Sequence, residues 1–390
     1  MRSLLVAFVL LVLSAVLAAD GLSSSARSLR SASLYISPTG SDSANCRHTS
    51  PCRSFARAYK KARPGQVVQV AGGSYGPQSI PVDGSKQSKK DVVFRPAPGS
   101  AVSVSSLDVY GSHVKLERMR LTSFPYLRTW RQAADLTFHR LRAARFTIMG
   151  SHNVRLRGGN YGPSANAYSS IQSEGANDTK VATNVRLVGV TIHDYRQTDG
   201  SSHVDCLHIF GARGVVIRRS LFYNCEAFAI LFTKIPGSPV PTPTNVTIEN
   251  NFIDCCGSGY FSIYLGDQHG ERWSNFLVRN NSTNKPIGIG YDNTTVSRLR
   301  FLSNIAPSFQ GCHRAGVSAH YNIWYHGSRC GRHDRVSASG FHAPGRHDFH
   351  IVRGAPAIGR GDPGSHLDKD YDGERRPMGR LPDAGADERG

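Results

Sequence analysis

The densest cluster of polar side chains in the chain is His193-Asp194-Tyr195-Arg196 with His203-Val204-Asp205-Cys206-Leu207-His208, and Glu226 and Lys234 follow. Taking a proton from the carbon beside a carboxylate, with loss of an oxygen from the next carbon, needs a base, an acid and a counter-charge. His208, Lys234 and Arg196 are the candidate bases, and His203 and Asp205 complete the candidate catalytic set. Asp194, Asp205 and Glu226 are the candidate metal ligands. Calcium is the cofactor that such carboxylates would hold. The competing explanation is that these polar side chains only bond turns and loops.

The elements that must position these groups show as an internal repeat. Apolar-x-apolar pairs occur at Val114/Leu116, Leu136/Phe138, Val154/Leu156, Val185/Leu187, Val215/Ile217, Val246/Ile248, Phe276/Val278 and Leu299/Phe301. Their first members are 22, 18, 31, 30, 31, 30 and 23 residues apart, the mark of a stacked-repeat architecture. Alternation within each pair predicts strands with one face inward. Roughly ten coils of a parallel β-helix would fit.

Five residues after the first member come Asn251, Asn281 and Asn304. They are expected at corners, because Asn tolerates the left-handed conformation and stacked amides bond to one another. A second strand set includes Leu207 to Phe210; with Leu207 and Ile209 inward, His208 faces out. Asp194 and Asn224 share a repeat position, as do Cys225 and Cys256, so a Cys225–Cys256 bridge is the expected pairing of the middle cysteines. Arg155, Arg157, Arg186 and Arg218 occupy outward positions and predict a broken basic stripe, given strands about 4.8 Å apart. Guanidinium groups match carboxylates and sulfates bidentately. A solvated basic surface is the alternative.

Of the 390 residues, 47 are Lys or Arg against 28 Asp or Glu, and the net charge of +19 points to an acidic partner. The 39 Gly and 20 Pro favour many turns and short strands over long helices. Residues 1–19 have a charged start, an apolar run and a small-residue end, which predicts a signal peptide and an extracellular location. That run is shorter than the roughly 20 residues a spanning helix needs, so no transmembrane segment is expected. Residues 20–33 form a Ser-rich leader. Export and the lack of a nucleic-acid-binding motif argue against nucleic acid as a partner. Eight cysteines in an exported chain should be disulfides, and Cys46 with Cys52 and Cys312 with Cys330 would close short loops. Residues 54 to 62 predict a short amphipathic helix that caps the first coil.

Tyr35-Ile36-Ser37-Pro38-Thr39-Gly40-Ser41-Asp42, the Cys-flanked loop, the helix, Pro64-Gly65-Gln66-Val67-Val68 and Gly72-Gly73-Ser74-Tyr75-Gly76 resemble the start of secreted proteins of the pectate-lyase-like superfamily. Gly354-Ala355-Pro356-Ala357-Ile358-Gly359 and the run from Asp370-Tyr371-Asp372-Gly373 to Asp387-Glu388 are similar to the end of many such bacterial proteins. The resemblance implies an all-β fold, a single-stranded right-handed parallel β-helix over residues 34–345, with a C-terminal capping segment over 346–390. The chain is expected to be a monomer that acts on acidic polysaccharide, most simply by β-elimination. A non-catalytic polyanion-binding surface protein, or a hydrolase or epimerase of the same fold, is the alternative. The Asp-Asp pair and Gly-His-Gly of polygalacturonase-like helices are missing, and so is the Asp-Pro-His of alginate epimerases. Asp368 to Gly373 has the alternating carboxylates of a calcium loop, but its twelfth position is Gly379.

Overall fold

The computed structural model describes residues 31–200, 203–235, 237–266, 269–290 and 294–389. Residues 1–19 and most of the Ser-rich leader lie outside these. Among the described residues no helix is long and apolar enough to cross a membrane.

The alternating pairs do form strands, and successive coils stack their strands into three parallel sheets. The first sheet has 12 strands, from Leu34–Ile36 to Val317–His320; the second has 13, beginning at Gly73–Tyr75; the third has 10, from Gln78–Ile80 to Phe309–Gln310. One coil runs from Ala182–Val188 in the first sheet through Thr191–Arg196 in the second to Leu207–Phe210 in the third. Crossovers between parallel strands are right-handed almost without exception, and here they wind a solenoid. Register follows the sequence repeat: Val185 pairs with Val215, and Val215 with Val246. Those pair residues are buried and fill the core.

The corners are where a solenoid is hardest to satisfy, because backbone groups there leave the ladder. Between the first and second sheets the problem is met by a buried side-chain ladder. Asn251 donates from its backbone N (3.2 Å) and Nδ2 (2.8 Å) to Asn281 Oδ1, and Asn281 donates likewise to Asn304 Oδ1 at 3.1 and 3.0 Å. Asn304 repeats this toward Asn322, and Asn322 toward Asp334. The last two rungs were not visible in the repeat as read from the sequence. The left-handed residues are also one position earlier than expected: Asn250, Asn280 and Ser303 have φ of 52°, 50° and 56°. The turn strain thus falls on one residue while the next, facing inward, does the bonding.

The first coil is closed by helix α1, Phe55–Lys61, the only α-helix among the described residues. Ser54 caps it by accepting from Arg57 N, and Phe55 stacks on Phe94 at 5.1 Å. The C-terminal segment lies on the outward side of the second sheet. Ala386 N donates to Ser282 Oγ (3.0 Å), Gly385 N to Ser303 O (2.7 Å), and Tyr371 stacks on Phe252 with ring centroids 3.9 Å apart.

Disulfides join Cys46 to Cys52 and Cys312 to Cys330, as their spacing suggested. The expected Cys225–Cys256 bridge does not form. Cys206 pairs with Cys225 and Cys255 with Cys256. Cys225 and Cys256 do hold equivalent positions, each two residues past the Tyr223–Asp254 register pair. Cys206, however, lies 5.3 Å from Cys225 by Cα across the corner between the second and third sheets.

The buried ladder makes a specific demand. Asn281→Ala leaves the backbone N and Nδ2 of Asn251 without their acceptor, and should cost on the order of 3 kcal/mol in chemical denaturation. A loss within experimental error would show that the ladder does not hold the corner.

Candidate functional site

The sequence cluster divides between two sheets. Asp205 and His208 belong to the third sheet and the loop before it, and the carboxylate of Asp205 is fully buried. Its Oδ1 lies 3.1 Å from His203 Nδ1 and accepts from Phe228 N at 3.3 Å. Its Oδ2 lies 3.3 Å from His208 Nδ1, but neither of these two buried atoms makes a hydrogen bond. Burial pushes the Asp205 carboxyl upward from its ordinary range, and the His203 contact opposes this.

The two imidazoles beside this carboxylate respond in opposite senses. The hydrogen bond that His203 gives to Asp205 raises the imidazole above its ordinary 6.5, outweighing partial burial. Burial, with the charge on His203, drives His208 down to about 3, so that ring is neutral at physiological pH. His208 Nε2 is 2.8 Å from Thr233 Oγ1. His203 is the open member of the set, with 40% of its side chain exposed. With Nδ1 directed at Asp205, its Nε2 is the nitrogen available to a ligand.

Aromatic side chains surround this set. Tyr168 lies 4.9 Å from the His208 ring, and Phe228 and Tyr260 are 5.5 and 6.1 Å from His203. Phe228 stacks on Tyr264 at 5.1 Å, and Tyr264 on Phe261 at 4.7 Å. The platform requires Gly288 beneath it: a Cβ there would stand 2.6 Å from Phe261 and 2.8 Å from Tyr264. Such half-buried rings can lie flat against the apolar face of a sugar.

Sequence reasoning missed Arg145 and Tyr168. They directly precede two adjacent third-sheet strands, Phe146–Met149 and Ser169–Gln172. Arg145 is half-buried over the Phe124 ring at 4.8 Å and has no acidic partner among the described residues. Burial and the nearby Asp205 charge raise the Tyr168 phenol, with Arg145 opposing, so it keeps its proton at neutral pH. The one signal for both lay in the strand after Arg145, which carries the same alternation as the counted pairs.

The remaining expected residues are placed elsewhere. Lys234 follows Thr233 at the edge of this face, and its backbone N donates to Glu271 Oε1 at 3.4 Å. Arg196 ends a second-sheet strand and lines an open groove of about 420 Å³ with Gln197, Asn224 and Glu226. The expected metal set Asp194, Asp205 and Glu226 is not assembled. Asp194 accepts from Asn224 Nδ2 at 2.7 Å and contacts His193 Nδ1 at 2.7 Å, while Glu226 accepts from Gln197 N. Three separate bonding tasks hold the three carboxylates apart, and they do not fit one calcium ion.

The basic stripe lies on the first sheet rather than beside His203. Arg155 and Arg186 are exposed register neighbours, with Arg157 exposed nearby. Arg218 is held by the buried Glu249, which also takes Arg279 Nε at 2.9 Å. It is therefore a weaker candidate for ligand binding than its sequence position implied.

No protein-family model matches the sequence, and no curated protein is similar to it. Among solved structures, pectate lyase Pel9A is 14% identical, covering 92% of this chain and 96% of that one with a TM-score of 0.51. A rhamnogalacturonan lyase is also 14% identical, over 79% of this chain and 90% of that one, with a TM-score of 0.45. PfbA, a surface adhesin of Streptococcus pneumoniae, is 10% identical over 72% and 86%, with a TM-score of 0.41. The three long parallel sheets and the likeness to Pel9A along nearly the whole of both chains make this protein a right-handed parallel β-helix of the pectate-lyase-like fold.

Proposed function

We propose that this protein is an exported, monomeric enzyme that cleaves an acidic polysaccharide by β-elimination on the third-sheet face. The observation that supports it best is the fully buried Asp205 carboxylate directed at His203, with the imidazole's other nitrogen open beside an aromatic platform. In this reading neutral His203 takes the proton α to a uronate carboxylate through Nε2. The C–H electron pair becomes the new carbon–carbon double bond as the bond to the glycosidic oxygen breaks. Tyr168, still protonated, gives its proton to that oxygen, and Arg145 pairs with the carboxylate. Asp205 and His208 are positioning groups: one orients His203, and the other packs neutral against the same carboxylate. No step is assigned to calcium.

A second reading is adhesion to polyanions without turnover. It is favoured by the exposed pair Arg155 and Arg186 on the first sheet, away from His203. It predicts salt-sensitive glycan binding that weakens in an Arg155→Ala/Arg186→Ala double variant.

Two measurements test the enzyme reading. In an NMR titration, Asp205→Asn should bring the His203 pKa down, because the raised value depends on the carboxylate. The His203–Asp205 contact stabilises the fold fully below the ordinary histidine value of 6.5 and less as pH rises through the raised one. An unchanged His203 titration in that variant would remove the orienting role.

The second is ultraviolet absorbance of unsaturated product over a panel of polyuronates and sulfated glycans. His203→Ala and Tyr168→Phe should each lower turnover by roughly 10²–10⁴-fold with the fold intact. A flat trace across the panel, with glycan binding retained, would sink the lyase and leave adhesion. Full activity in His203→Ala would move the site elsewhere.

A further inference from the structure

A second group of ligand-type side chains lies in the C-terminal segment, away from the third-sheet face. His350 is on strand Asp348–Ile351 of an antiparallel hairpin, Asp372 on a later turn, and Asp387 near the chain end. One donor atom from each lies within 4.8 Å of the others. His350 Nε2 is 2.7 Å from Asp372 Oδ2, while its Nδ1 is bonded to Asp348 Oδ1. Asp348 Oδ2 in turn holds His342 Nδ1 at 2.7 Å. Asp387 is buried, and its Oδ2 accepts from Ile351 N at 2.8 Å.

This pattern differs from a solvated acidic cluster in two ways. A carboxylate behind the imidazole fixes ring orientation and leaves the opposite nitrogen facing two carboxylates, as in carboxylate–histidine–metal arrangements. The carboxylates are also met by imidazoles alone, those of His342 and His350, among the described residues. Among the described residues no Lys or Arg pairs with Asp348, Asp372 or Asp387; Arg376 Nε pairs instead with Glu388 at 2.9 Å, and its Nη2 donates to the Asp387 backbone O.

We propose that His350, Asp372 and Asp387 hold one divalent transition cation of the zinc class, with Asp348 orienting the imidazole. One imidazole and two carboxylates with room for water suit zinc, whereas calcium takes six to eight oxygens. The calcium loop suggested by Asp368 to Gly373 does not form as such. Asp370 instead accepts from Gly373 N and Glu374 N at 2.9 and 2.8 Å, so of its carboxylates only Asp372 enters the new set. Because the three ligands come from separate parts of the segment, the ion would tie the hairpin, the turn and the chain end together. Phe252 of the second sheet touches both His350 (5.0 Å) and Tyr371 (3.9 Å), so the same tie would fasten the segment to the solenoid.

The test is calorimetric titration of the purified chain with zinc chloride and, separately, calcium chloride, together with thermal melts in each. Zinc should bind with a stoichiometry of one and raise the melting temperature, and calcium at the same concentration should do neither. Asp372→Asn, at an exposed position, and His350→Gln should each weaken zinc binding about tenfold or more, and Asp348→Asn should weaken it by roughly 10–100-fold. With 16 histidines in the chain, adventitious zinc binding is the rival. Zinc binding that is unchanged in both Asp372→Asn and His350→Gln, or no zinc binding at all, overturns the proposal. Calcium binding as tight as zinc overturns the assigned class of ion.

Discussion

In a parallel solenoid every coil satisfies its backbone on the next, so an error at a corner spreads to the strands beyond it. The buried Asn251–Asn281–Asn304–Asn322–Asp334 ladder answers that constraint. Asn281, Asn304 and Asn322 each accept from the backbone and amide of the preceding rung, and their own amides also reach a carbonyl one coil back, such as Asn281 to Ile248 O. Shifting a coil by one residue would break several buried hydrogen bonds at once, each worth about 1–3 kcal/mol when left unmade. Register in the third sheet is fixed by the same stacking, which places His208 between Ser170 and Leu231.

That stacked frame allows an expensive group to be kept at one point. A fully buried carboxylate is tolerated only with partners, and Asp205 has one backbone N–H and one imidazole within reach. It also sits next to Cys206, whose bridge to Cys225 ties the loop to the second sheet. Two histidines on either side of one carboxylate thereby acquire opposite proton affinities. For the exposed ring the hydrogen bond dominates; for the enclosed ring desolvation does. Groups whose environments separate their pKa values in this way are what acid–base chemistry at one site requires.

The strands of the first sheet were legible because period-two alternation recurs at a nearly constant step. His208 facing outward and Asp194 beside Asn224 followed from the same arithmetic. What the repeat did not carry was the angular position of each residue around the solenoid. That depends on which residue at a corner turns left-handed, and the assignment missed by one position. Angular position decides which clusters meet: the arginine stripe lies on the first sheet, and His203 and His208 lie at the third. The middle cysteines failed for a related reason: equivalent positions were identified, but a bridge across a corner links inequivalent ones. Arg145 and Tyr168 went unnoticed because each is a single residue before a short strand and carries no motif.

The placement of the C-terminal segment then limits where a polymer can bind. It covers the outward side of the second sheet through contacts at Phe252, Ser282, Ser303 and Ile305, and His347 stacks on Tyr223, which stacks on His193. The His193–Asp194 pair therefore lies at the margin of an internal contact, bonded to Asn160 and Asn224. Two outward faces are left for a long ligand, the first sheet with Arg155 and Arg186 and the third with Arg145, Tyr168, His203 and the aromatic platform. A glycan chain laid along the third sheet would cross successive coils about 4.8 Å apart. It would meet the Arg145 guanidinium, the phenol, the oriented imidazole and the stacked rings in turn, and on the first sheet it would meet Arg155 and Arg186.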